Sequence, residues 1–371
     1  MTDSGERIGK KKFVFKWNAN MNVLVILVVF VIIITIVQMV SLMPGQYPTM
    51  VSPSNIANIF AQVSATGILA MGMAIVMIAG GIDLSVGMLA SFVVLYTAKS
   101  HMDFGLSLPM AITTAILFAV AMEAGMGFVI SRLNVEPFII TLGGMIAFRG
   151  VALLVVRSQE VSIRGAMDPL KRSIFQGEVR DPAGLIVNIP IYIFIFLAIT
   201  VIVWIIMRYS KYGRRIYAVG ANRQAAYLAG IDVKNVIFST YVINGLLISI
   251  AALILLTRVN TAIISAGQNK EIDAIAAAVV GGVALSGGKG NIWGVFIGAL
   301  LMGTIENGMN MLRINAEWQY VAKGLIIIGA VSAAAIVAMV QSKRQMRLKQ
   351  DSVALVSAAI DSVVEEEKSG N

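Results

Sequence analysis

Five ionisable side chains stand inside or at the edges of long apolar runs: Asp83, Glu123, Arg149, Asp273 and Glu306. A charge in such a setting is costly and is kept for pairing, for a polar path or for carrying a proton. At about 1.5 Å of rise per residue, Arg149 and Glu306 fall in the same half of their helices and are expected to pair. Ser85, Ser286, Asn307 and Asn310 add uncharged donors and acceptors, a set suited to a neutral, hydroxyl-rich solute. The plainer alternative for each charge is a tie between helices. No catalytic constellation accompanies them, because no nucleophile–base pair and no metal-ligand cluster is visible. The single histidine, His101, sits in a short polar turn. Gly287-Gly288-Lys289-Gly290 resembles a phosphate loop only superficially, since the required Gly-x4-Gly-Lys-Ser/Thr spacing fails at Val283 and again at Gly290. No ATP motif and no bound cofactor is expected, so any ATP hydrolysis belongs to another chain.

These residues cluster around two glycine interruptions. Residues 78–87 read IAGGIDLSVG and residues 279–288 read VVGGVALSGG. Each places Gly-Gly-x-x-Leu-Ser-x-Gly at the end of an otherwise apolar segment. Glycine there weakens the helix and lets another backbone or a solute come close. Finding the pattern twice, on the same expected side, points to two related halves in parallel, a recurring plan among transporters. Gly81, Asp83, Ser85, Arg149, Gly282, Ser286, Glu306 and Asn307 are therefore the candidates for lining or gating a path.

The elements that hold them are membrane helices. Of 371 residues, 58% are hydrophobic and only 13% charged, against about 25% charged in a soluble domain; mean hydropathy is +0.83. Runs of 18 or more apolar residues recur. The expected architecture is all-α and polytopic, with about ten transmembrane helices. They cover about 22–43, from Ser54 to Gly80, to Ser100, to Ser131, Pro137 to Val156, 190–207, 235–257, 271–286, 291–312 and 318–340. The chain divides into a basic N-terminus (1–21), a membrane domain (22–340) and a tail (341–371). The net charge of +9 sits mostly in the termini and in residues 208–234. That places both ends and this loop in the cytoplasm and argues against nucleic acid. Residues 157–189 form the longest outer loop, although its five basic residues fit that side poorly. Trp17, Trp204, Trp293 and Trp318 fall near span ends, where an aromatic belt belongs. There is no cysteine, hence no disulfide framework.

The 208–234 loop combines basic residues, four tyrosines and a short Ala-rich helix at about 222–229, which Asn222 could cap. A compact helix of this kind suits docking into a partner's groove; the alternative is a helix lying on lipid headgroups. In the tail, Val353, Val356, Ile360 and Val363 recur at helical spacing.

Five blocks carry a resemblance: GGIDLSVG (80–87), NVEPFIITLGGMIAFRG (134–150), YGRRIYAVGANRQAAYLAGI (212–231), EIDAIAAAVVGGVALSGGKG (271–290) and EWQYVAKG (317–324). The chain resembles the permease subunit of ABC importers for monosaccharides, the ribose/galactose/xylose class, over about 50–335. The last two blocks look closest to galactose/methyl-galactoside permeases. The resemblance implies a bacterial inner-membrane protein that imports a simple sugar. Its implied partners are a cytoplasmic ABC ATPase, an extracytoplasmic sugar-binding protein and a second permease protomer. The family's coupling loop maps to 212–231, with Tyr212, Gly213, Arg214, Gly220, Asn222, Ala225, Ala226 and Gly230 as the residues expected to meet the ATPase. The competing reading is an ion-coupled secondary transporter, which would use Asp83, Glu123 and Glu306.

Overall fold

A computed structural model describes residues 19–41, 49–156, 160–173, 179–182 and 184–332, with 336, 339 and 346 as single positions. The basic N-terminus, Trp17 and the amphipathic stretch of the tail lie outside the described residues. In chain order the elements are α1 (Ala19–Ser41), α2 (Pro53–Ile78), α3 (Val86–Met102), α4 (Leu108–Leu133) and α5 (Pro137–Val156). A two-residue strand β1 (Val161–Ser162) and a one-turn α6 (Asp168–Lys171) follow. Then come α7 (Ile191–Tyr209), α8 (Lys211–Ala221), α9 (Arg223–Leu228), α10 (Val233–Val259), β2 (Thr261–Ala262), a 3-10 turn (Ile264–Gly267), α11 (Lys270–Val280) and α12 (Ile292–Met311). A further helix covers 316–332.

Seven of these, α1, α2, α4, α5, α7, α10 and α12, are long and apolar enough to cross a membrane. The chain is a multi-pass helical membrane protein. Three other segments expected to span are shorter: α3 has 17 residues, α11 has 11, and 316–332 ends where the described segment ends. The eighth expected span, 271–286, therefore stops as helix at Val280. Ser54 does not start α2. Ser52 does: its Oγ accepts from the Asn55 N–H at 3.2 Å, ahead of Pro53 at the first helical position. Pro53 is preorganised for that position and Ser52 supplies the cap.

The core is built around α2. From Gly67 to Ile78 every side chain of α2 is buried, and α7, α10, α11 and α12 pack around it. α10 is the second axis, lying against α2, α3 and α4. α4 meets it through a buried stripe at steps of four, in which Ala115, Ala119 and Gly127 are small and let the two helices approach closely, and Glu123 faces Gly245. A Cβ on Gly127 would press on Tyr241 of α10, and one on Gly245 of α10 would press on Glu123.

The bundle has two distinct ends. At one, β1 pairs antiparallel with β2 (Val161↔Ala262, Ser162↔Thr261), joining the long loop to the end of α10. At the other lie α8 and α9, which lead into the start of α10. The 27 residues of α10 separate these ends by about 40 Å.

Candidate functional site

Both glycine interruptions close a helix in the same way. At the end of α2, Gly80 (φ +86°) donates to Met77 O at 2.9 Å and Gly81 to Val76 O at 3.0 Å. At the end of α11, Gly282 (φ +88°) donates to Val279 O at 2.9 Å and Val283 to Ala278 O at 2.9 Å. This is the Schellman closure, with glycine where left-handed backbone is required. The sequence repeat aligns Gly81 with Gly282, whereas the structure aligns Gly80 with Gly282. The two repeats are out of register by one residue. After the first closure the chain enters α3 within seven residues; after the second it makes a longer turn over 283–291 before α12. Ser85 is consequently buried while Ser286 is exposed, and Gly282 has open space around it.

The two interruptions meet each other and α8. The Gly288 N–H donates to the carbonyl of Ile78, the last residue of α2, at 2.8 Å. Gly220 of α8 lies against this bond: a Cβ there would run into Ile78 O and would stand 2.6 Å from Gly288 N. A Cβ on Gly287 would meet Gly80 Cα at 3.0 Å. Tyr217 of α8 donates its hydroxyl to Gly290 O at 3.0 Å, and Arg223 at the start of α9 reaches Gly80 O at 3.4 Å. Burial pushes the Tyr217 hydroxyl above its ordinary value, with Arg208 acting the other way, so it stays a proton donor. Glycines at 80, 220, 287 and 288 thus let three backbones from distant parts of the chain touch.

The helix pair over 211–228 is locally self-supporting. Ser210 Oγ accepts from Gly213 N at 2.9 Å, and Gly213 is buried against the end of α7. Asn222 Oδ1 accepts from Ala225 N at 2.9 Å, the cap its position suggests. Gly230 (φ +77°) closes α9. Tyr212 reaches Ser239 of α10 at 2.8 Å. Ala226 is buried, while Arg214, Asn222, Ala225 and Gly230 face outward.

Behind the first interruption lies a fully buried polar cluster. Asp83 Oδ1 accepts from Ser85 N at 2.9 Å and from Ser85 Oγ at 2.7 Å. Asn244 Nδ2 of α10 donates to Asp83 Oδ2 at 2.6 Å, and Ser85 Oγ lies 3.0 Å from Glu123 Oε1 of α4. Tyr241 sits with its hydroxyl beside Gly81. Asn244 fits because Gly72 has no side chain. The sequence reading named Asp83, Ser85 and Glu123 but missed Asn244 and Tyr241. An asparagine in the middle of an apolar span was the available signal.

A second polar cluster stands toward the β1–β2 end. Lys323 Nζ bridges Asp273 Oδ1 (3.1 Å) and Glu306 Oε2 (3.2 Å), and Lys270 pairs with Asp273 Oδ2 (3.1 Å). Glu306 does not pair with Arg149. Counting rise along two helices gave them a common depth, but depth says nothing of direction. Arg149 lies exposed on α5, whereas α12 is flanked by α1, α2, α7 and α11. Asn307 is committed elsewhere: its amide and that of Asn55 exchange bonds of 3.0 and 3.1 Å, tying α12 to α2. Asn310 accepts from Gln319 at 2.8 Å.

The chain matches a family model described as "Branched-chain amino acid transport system / permease component" over residues 55–331. It is 35% identical over 284 residues to the ribose import permease protein of Bacillus subtilis, covering 76% of this chain and 85% of that one. It is 33% identical over 335 residues to the xylose transport system permease protein of Haemophilus influenzae (76% and 88%). Against the ribose import permease protein of Escherichia coli K12 it is 32% identical over 323 residues (87% and 96%). A nearer likeness to galactose permeases has no support among these three. No solved structure matches the chain.

Proposed function

The chain belongs to this permease family, within the class serving monosaccharide ABC importers, and from that premise we propose that it forms half of a sugar-conducting path driven by a separate ATPase. The substrate is a pentose or hexose of the ribose, xylose or galactose type, delivered by an extracytoplasmic binding protein across the bacterial inner membrane. Ten crossings, both termini in the cytoplasm and α8–α9 facing the ATPase complete the reading.

One observation carries it. α8 and α9 touch both glycine interruptions directly, through Gly220 on Ile78 and Gly288, Tyr217 on Gly290 and Arg223 on Gly80. A pull on this helix pair acts directly on Ile78 at the end of α2 and on Gly288 and Gly290 in the turn between α11 and α12. A ligand shifts an equilibrium only by its differential affinity for the two states, so the ATPase supplies the drive and the junction receives it.

Arg149 supports a second protomer. It is exposed on α5, and around the helix from it Gly143, Ala147 and Gly150 recur at steps of four and three as an exposed stripe, with nothing within 4 Å of a Cβ on either glycine. A guanidinium bare to hydrocarbon is expensive, while small residues favour close approach of another helix. The exposed surface of α5 that carries Arg149 and this stripe is the one assigned to the partner copy and the path between them.

The test is reconstitution in liposomes with the ATPase and sugar-binding protein. Sugar-loaded binding protein should stimulate ATP hydrolysis, and deletion of residues 222–229 should abolish it while leaving insertion intact. Uptake by this chain alone, indifferent to ATP and collapsed by an uncoupler, would replace this reading with the ion-coupled one. Because the sequence has no cysteine, single cysteines report topology: Asp232→Cys should label from the cytoplasm and Phe104→Cys from outside.

A further inference from the structure

Where α7 turns into α8, the bundle carries a half-open cavity of about 650 Å³, with Trp204, Arg208, Arg214, Tyr217 and Asn291 among its walls. Arg208 and Arg214 are exposed, and among the described residues neither has a carboxylate within ion-pair distance. Arg214 donates only to the Tyr209 carbonyl, at 3.2 Å. Two unpaired guanidiniums therefore converge on one space. Trp204 packs at a tilt against Trp293 (5.9 Å between ring centres) and edge-on to Tyr209 (5.4 Å). Such an aromatic group marks the level of lipid headgroups.

The outer wall of α7 says what kind of molecule fits. Val201, Ile205 and Arg208 are all exposed and recur at steps of four and three, so they share one helix face. That face is apolar along the span and cationic at its end. An occupant matching it has a hydrocarbon tail and an anionic head. We propose that this cavity holds the phosphate headgroup of an anionic membrane lipid, with an acyl chain lying along Val201 and Ile205. The headgroup bridges Arg208 of α7 and Arg214 of α8, directly beside Tyr217 and Gly290. It thereby fastens the helix that touches both glycine interruptions. A protein partner's acidic side chain would satisfy the two arginines but would leave the apolar face unexplained.

The experiment uses the full chain in nanodiscs of phosphatidylcholine, with and without phosphatidylglycerol. Retained lipid is measured by mass spectrometry, and the unfolding midpoint is recorded. Wild type should retain phosphatidylglycerol and unfold at a higher temperature with it than with phosphatidylcholine alone. Arg208→Gln and Arg214→Gln should each lower retention about fivefold, since one basic residue near an anionic surface contributes ~1 kcal/mol. Arg208→Lys should restore part of it and serves where the Gln variant fails to accumulate. Arg215→Gln removes an exposed α8 charge that does not line the cavity and should change nothing. Equal loss in Arg215→Gln, undiminished retention in both cavity variants, or the same stabilisation by inorganic phosphate alone would each overturn the headgroup assignment. Displacement of phosphatidylglycerol by the bound ATPase would assign the cavity to the protein partner instead.

Discussion

Gly220→Ala is the smallest change that separates α8 from the glycine junction. The added methyl would overlap the Ile78 carbonyl and stand 2.6 Å from Gly288 N, both backbone atoms that cannot rotate away. Overpacking a tight contact costs about 1–3 kcal/mol. Parting Gly288 N–H from Ile78 O, now 2.8 Å apart, costs about another 1 kcal/mol. If the joined arrangement bears the whole ~2–4 kcal/mol, its population relative to a parted one falls roughly 30- to 1,000-fold, at 1.36 kcal/mol per decade. Coupled sugar uptake should fall toward background, while ATPase co-purification persists because the outward face of α8–α9 is unchanged. Gly324→Ala is the control: a Cβ there meets nothing within 4 Å, and helix-interior alanine is favoured over glycine. Uptake and membrane level are measured together for both variants. Wild-type uptake in Gly220→Ala, at equal membrane level, would refute the claim that α8 acts by contact with the two interruptions.

Three further outcomes follow from the polar clusters. Lys323→Ala leaves Asp273 facing only Lys270 and leaves Glu306 unpaired, so thermal unfolding in detergent should show a loss of about 1–3 kcal/mol; Arg149→Gln in the same assay should stay within about 0.5 kcal/mol. Asn307→Ala leaves the buried Asn55 Oδ1 without its donor, while Asn55 Nδ2 keeps the Met50 carbonyl, and should cost about 1–3 kcal/mol, whereas Asn55→Leu combined with Asn307→Leu should cost less than the sum of the singles. Glu123→Gln keeps a polar contact to Ser85 and the volume beside Gly245, so ATP-driven uptake should survive it. An ion-coupled carrier that uses this carboxyl would lose transport in the same variant.

The helical membrane class was legible from apolar runs because burial in lipid demands length and hydrophobicity, and both are properties of single segments. Caps were legible for the same local reason: Asn222 lies where its side chain meets its own helix, although α2 began at Ser52 rather than Ser54. What failed was direction. Arg149 and Glu306 share a depth but not a face, and only packing around α2 decides which way a residue points. Lys323, the true partner of Glu306, lay within a block already recognised, but no local rule connects positions 17 apart in different helices.

The glycine repeat is the most instructive case. Similar letters aligned Gly81 with Gly282, yet the helix closures align Gly80 with Gly282. The reason is that a closure needs only one glycine with positive φ, and each Gly-Gly pair offers two. In the first, Gly80 takes the turn and Gly81 packs beside Tyr241; in the second, Gly281 packs against Gly294 and Gly282 takes the turn. The spare glycine is therefore set by its neighbour, on opposite sides of the turn. This asymmetry sends Ser85 into the core with Asp83 and leaves Ser286 outside. The two halves have consequently diverged in role. The first interruption anchors a buried polar cluster, and the second lends its backbone, through Gly287, Gly288 and Gly290, to the contact with α8.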